Sequence, residues 1–121
     1  MSRRCVCVCV CVCVYVCLEF GGIYLDQDVL VLRSFDPLRR MPLTLAREST
    51  KPVDTIANGI IVCRRGVVFF RLWMETYRTF DPSVWSYHST KVPARWMIFC
   101  CHNARVPEDE ERACTVVHAV V

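Results

Sequence analysis

Asp26, Gln27 and Asp28 set two carboxylates two residues apart inside an otherwise apolar stretch, Gly21-Gly22-Ile23-Tyr24-Leu25 before them and Val29-Leu30-Val31-Leu32 after. Unpaired carboxylates are expensive to bury, so such a position calls for a compensating partner. In extended backbone, residues i and i+2 project to the same side, and both carboxylates can then face one ligand. Hard divalent cations such as Mn²⁺ or Mg²⁺ take oxygen ligands of this kind, with a substrate phosphate completing the shell. The spacing alone is weak evidence. Six Asp in 121 residues give about 0.3 chance occurrences of Asp-x-Asp, and two solvated carboxylates at a strand end are the plain alternative.

The elements around the pair sharpen the reading. Ile23–Leu32 reads as a strand, apolar on both faces apart from the two Asp, hence a buried central strand of a mixed α/β sheet. Ligands of open α/β sheets bind beside the carboxyl ends of strands. Ser34–Leu38 predicts a turn, with Asp36 before Pro37. A short strand follows at Leu43–Ala46, then a polar loop from Glu48 to Thr55. Asn58-Gly59 is a turn signal, and Ile60–Cys63 a second short buried strand. Over Gly66–Phe80, Phe69, Trp73, Tyr77 and Phe80 recur at helical spacing, which predicts an amphipathic helix whose aromatic stripe belongs to the core. A loop from Trp85 to Thr90 precedes a further helix from Val92 to Cys101, with Pro93 in its first turn. The tail beyond has no clear element.

Composition excludes much. At 121 residues there is room for one modest domain. The 15 basic residues against 12 acidic ones are scattered in runs no longer than two, which is no nucleic-acid footprint. Ten cysteines would suggest a disulfide scaffold, yet six fall in Cys5–Leu18, where Cys alternates with Val. Neighbouring thiols along one strand are too far apart to bridge easily. A TG dinucleotide repeat read in one frame encodes Cys-Val without end, so residues 5–18 are expected to be translated repeat. The other reading is a targeting segment, Arg3-Arg4 ahead of an apolar run that falls short of the roughly 20 residues a spanning helix needs. Cys100-Cys101-His102 is too compact for an ordinary zinc site.

Phe20-Gly21-Gly22-Ile23-Tyr24-Leu25-Asp26-Gln27-Asp28 with its following aliphatics resembles the sugar-binding DXD region of a glycosyltransferase family that includes α-1,4-galactosyltransferases, α-1,4-N-acetylglucosaminyltransferases and fungal α-1,6-mannosyltransferases. Asn58-Gly59-Ile60-Ile61 ahead of Phe69–Tyr77 is similar in order, and Trp85–Thr90 more loosely so. The resemblance covers about residues 19–96. It divides the chain into a low-complexity tract (1–18), a partial catalytic domain (19–96) and an unassigned tail (97–121). What it implies is an α/β fold, a fragment of a GT-A type nucleotide-sugar-binding mixed sheet with flanking helices. Asp26 would contact the ribose or metal and Asp28 would coordinate Mn²⁺ (or Mg²⁺) on the diphosphate of a UDP- or GDP-sugar. Gly21, Gly22 and Tyr24 would help hold the donor, and Glu48, Asn58, Gly59 and His88 would lie at the sugar or acceptor site. The activity implied is retaining transfer of a hexose to a glycan or glycolipid. Such enzymes work in the Golgi lumen, attached to the membrane through parts of the protein that this chain does not convincingly supply. In similar proteins a nucleotide-binding half precedes the DXD strand, and a helix runs directly into the Tyr-Gly-Gly. The Cys-Val tract stands there instead, so the alternative expectation is an inactive fragment or a binding module.

Overall fold

A computed structural model describes residues 3–47, 55–81, 83–84, 86–103 and 115–118. The chain is α/β. Helix α1 (Arg3–Phe20) leads into β1 (Gly22–Leu25), and β2 (Leu43–Arg47) and β3 (Ile56–Cys63) follow. Then come α2 (Val68–Thr76), α3 (Val92–Asn103) and β4 (Thr115–His118). The sheet runs β1-β3-β2-β4, with β1 and β2 antiparallel to β3 and β4 parallel to β2. It is therefore mixed, as expected. A GT-A arrangement does not follow from these four strands.

The Cys-Val tract is helical. Neither Val nor Cys favours helix, so its stability comes from packing. On a 3.6-residue period Val10, Val14 and Cys17 share one face, and they join Leu43, Leu45, Ile61, Cys63, Phe69, Phe70 and Trp73 in a single core. Val12 and Val16 turn outward, 54% and 44% exposed, where a strand would have kept them beside Val14. A helix thus does run directly into the Gly-Gly. Gly21 ends it in the left-handed region at φ 66°, its N–H donating to the Cys17 carbonyl at 2.9 Å. The Gly66 N–H donates to the Leu18 carbonyl at 2.8 Å and ties the β3–α2 turn to the same helix end.

Two of the strand expectations need correction. The strand read over Ile23–Leu32 stops at Leu25 and lies at the sheet edge. The Asp26 N–H goes to the Gly59 carbonyl at 2.9 Å and the chain turns at Gln27-Asp28, leaving Leu30 and Leu32 about four-fifths exposed. Asn58-Gly59 does not open a new strand but sits inside β3. There the register against β2 jumps from Leu45↔Ile61 to Ala46↔Ala57, so residues 58–60 bulge.

The strand read at Leu43–Ala46 is β2, and the Val92 helix is α3 with Pro93 fully buried. The turn at Asp36-Pro37 is a short 3-10 segment, Asp36–Arg40. The aromatic stripe forms α2 and a 3-10 turn over Tyr77–Thr79, with Phe69 and Trp73 buried as core. Phe70, off that stripe, is also fully buried. Tyr87–Lys91 is a π-helical turn where a loop was expected.

Candidate functional site

The end of β1 and the bulge of β3 build one site. Gly59 accepts the Asp26 N–H, and a Cβ on Gly59 would come 3.0 Å from the Asp26 Oδ2 atom. A side chain at this position would press on the carboxylate, which would have to give by a few tenths of an ångström. The Asp26 carbonyl in turn accepts from the Val29 N–H at 3.1 Å, which fixes the turn carrying Asp28. A cavity of about 560 Å³ results, lined by Tyr24, Asp26, Gln27, Asp28, Asn58 and Ile61 on the sheet side and by Cys9, Val10, Cys13 and Val14 from α1. That volume lies within the range of small-molecule sites.

Tyr24 orients the carboxylate. Its hydroxyl donates to Asp26 Oδ1 at 2.6 Å. Burial, and then the hydrogen bond to the Asp26 carboxylate, push the Tyr24 phenol well above its ordinary range, so it stays a donor at every physiological pH. Burial also raises the Cys13 thiol, which is hydrogen-bonded to Tyr24 and feels the Asp26 charge. Cys13, Tyr24 and Asp26 thus form a short polar chain from α1 into the site.

The predicted residues separate into two groups. Tyr24, Asp26, Asp28, Asn58 and Gly59 come together at the cavity or against it. Gly21 and Gly22 do not line it; they face a second cavity at the other end of β1. Gly21 is required for a different reason. A Cβ there would meet the Arg65 backbone N at 2.6 Å, so the glycine serves the helix-to-strand turn. His88 lines neither cavity. It is 5% exposed, boxed by the rings of Tyr77, Phe80 and Tyr87, and its carbonyl accepts the Trp73 indole N–H at 2.8 Å. Glu48 and Trp85 lie outside the described residues.

Sequence reasoning missed the wall made by Cys9, Val10, Cys13 and Val14, because the tract containing them read as repeat. In a strict Cys-Val alternation every residue has its like at i+2 and i+4, so no signal in the sequence set these four apart. Two carboxylates and the Asn58 side-chain carbonyl are hard oxygen donors, and one or two carboxylates suit a cation that takes its remaining ligands from a phosphate and water. Asp26, Asp28 and Asn58 are thus the residues of this cavity that could hold a hard divalent cation. Among the described residues there is no cluster of three or more His, Cys, Asp or Glu able to enclose a metal by themselves. No helix among the described residues is long and apolar enough to cross a membrane.

The chain is 35% identical over 100 residues to the glucan organizing enzyme 1 of Cryptococcus neoformans var. grubii. The match takes in 77% of this chain and 27% of that protein, so the chain spans about a quarter of the length of its curated relative. No family model matches, and no solved structure matches.

Proposed function

We propose that this chain forms the donor-sugar and cation-binding part of a glycosyltransferase that transfers a hexose from a UDP- or GDP-sugar to a glycan or glycolipid, with retention. The observation that carries this reading is the convergence of Asp26, Asp28 and Asn58 on one cavity beside the end of β1. Similarity to an enzyme named for glucan organisation supports the glycan side of it.

Each residue has a part to play. Tyr24 holds Asp26 in one orientation through its 2.6 Å hydrogen bond, so little side-chain entropy is lost when a ligand arrives. Asp26 and Asp28 would hold Mn²⁺ (or Mg²⁺), which when bound supplies positive charge beside the departing nucleoside diphosphate. The Asn58 amide, with both donor and acceptor, suits a sugar hydroxyl or phosphate oxygen. Gly59 keeps the bulge clear of Asp26. A Golgi-lumenal setting belongs to the same reading.

One observation favours a second reading. Among the described residues, those that α1 contributes to the wall opposite the carboxylates are Cys9, Val10, Cys13 and Val14, none of them cationic. On that reading the chain is a binding module without turnover.

Calorimetry of the whole chain with Mn²⁺ and a panel of UDP- and GDP-sugars tests both. Donor binding that requires Mn²⁺ and falls at least tenfold in Asp28→Asn supports the site, and donor hydrolysis or transfer separates enzyme from module. Binding indifferent to Asp28→Asn sinks both readings.

A further inference from the structure

The second cavity, about 280 Å³, opens at the opposite end of β1 and β3 and is lined by Gly21, Gly22, Cys63 and three arginines, Arg39, Arg64 and Arg65, among other residues. No carboxylate lines it among the described residues. Arg39 has an exposed ion pair with Asp36 at 3.3 Å, and Arg64 donates to the Arg40 carbonyl at 2.9 Å. The cleft is therefore strongly cationic, and it carries a thiol.

That thiol is paired. Cys17, in the last turn of α1 and 3% exposed, packs against Cys63, which is 7% exposed and lines the arginine cleft. As a thiol, Cys63 donates to the Cys17 carbonyl at 3.8 Å. As a thiolate it accepts from the Cys17 S–H and from the Gly22 N–H. These two donors hold the Cys63 thiol below its ordinary range, and the same contact together with burial pushes Cys17 far up. Of the two sulfurs, Cys63 is the one whose residue lines the arginine cleft, and Cys17 does not line it, so a molecule bound there meets Cys63 first.

We propose that Cys63 and Cys17 form a thiol–disulfide exchange site for an anionic small-molecule disulfide, with Cys63 as attacking sulfur, Cys17 as resolving sulfur and Arg39, Arg64 and Arg65 as the anion cradle. The Cys63 thiolate bonds to one sulfur of the bound disulfide, whose S–S bond breaks and releases the other half as a thiolate. The Cys17 sulfur, losing its proton to solvent, then bonds to Cys63 and expels the second half. Two protein thiols are oxidised by two electrons, one disulfide is reduced to two thiols, and the two protein protons end on those thiols. The product is a Cys17–Cys63 disulfide that fastens α1 to β3. Nothing in this site depends on the sugar-binding reading.

The test uses the whole chain, exposed in native buffer to a dianionic aromatic disulfide (dithiobis-nitrobenzoate) or to neutral dithiodipyridine, then alkylated and mapped by mass spectrometry. Relative to free glutathione thiol, Cys63 should prefer the dianionic reagent by about tenfold or more, and the preference should collapse near 1 M salt, where the screening length is about 3 Å. Arg64→Ser/Arg65→Ser should lose the preference and Arg64→Lys/Arg65→Lys keep it, which separates charge from folding. The linked product should join Cys17 to Cys63, and Cys17→Ser should leave the mixed disulfide standing on Cys63. The proposal is overturned if exposed Cys9 reacts while Cys63 stays silent until the chain unfolds. It is equally overturned if Cys63 shows no charge preference, or if its sulfur ends bonded to a different cysteine.

Discussion

Val12 and Val14 decide whether the Cys-Val tract is the packed helix described above. In a strand both would lie on one face; in α1, Val14 is fully buried and Val12 is 54% exposed. Val14→Ala removes two buried carbons, about 0.8 kcal/mol each, and a partly unrelaxed cavity adds about 1 kcal/mol. Alanine's better helix propensity returns roughly 0.6 kcal/mol, so the net loss is about 2 kcal/mol. At Val12 only about half of the transfer loss applies, and the helix gain cancels it to about zero. The two variants should therefore differ by about 2 kcal/mol, roughly thirtyfold in the unfolding equilibrium. With a urea slope of about 2 kcal/mol/M, this is a separation of about 1 M between their midpoints. Urea titration of both variants, followed by Trp fluorescence, reads it directly. Equal shifts would mean that the residues share a face, and no shift at Val14 would mean that the tract packs on nothing; either refutes the helix.

Gly21→Ala and Gly66→Ala differ only in space. Both sit at left-handed φ (66° and 78°), but a Cβ at 21 meets the Arg65 backbone at 2.6 Å and one at 66 meets nothing within 4 Å. Gly66→Ala should lose about 1 kcal/mol and Gly21→Ala at least about twice that in the same titration. Trp73→Phe leaves the buried His88 carbonyl without its 2.8 Å donor and should cost about 2 kcal/mol, read as a lowered melting temperature. Because Tyr24 has a phenol raised in the fold above its ordinary 10.0, its contribution is whole below that pH and is lost as pH climbs beyond it. Wild-type stability should fall above pH 10, and Tyr24→Phe should fall less steeply when melting is followed from pH 8 to 11.

Much of the scaffold was legible wherever apolar periodicity and burial agree. Leu43–Ala46, the Phe69/Trp73 stripe and Val92-Pro93 each read correctly because their side chains form the core. Ile23–Leu32 did not, since an aliphatic run cannot announce that its backbone hydrogen bonds turn away at Asp26 and leave residues 30–32 exposed. The Cys-Val tract was read as translated repeat and given no element, since its period-two alternation carries no helical period, and it is packing that makes it a helix. At the site, Asp26, Asp28 and Asn58 could be picked by type, but the closeness of Gly59 to the carboxylate is a tertiary fact. The Gly-Gly pair was read for ligand approach, and its first glycine answers instead to the turn out of α1.

The placement of carboxylates at one end of β1 and arginines at the other gives the small net charge of +3 an internal polarity. Four strand residues separate the two ends by about 13 Å, which exceeds the screening length of about 8 Å at physiological ionic strength. Under those conditions an approaching cation and an approaching anion each feel only their own end, and both can be drawn in at once. In dilute buffer, where fields reach about 30 Å, the two ends partly cancel at a distance and what remains is a dipole that turns the molecule before it attracts anything. Adding salt should therefore leave capture at either end less weakened than a single-signed surface of equal charge would be.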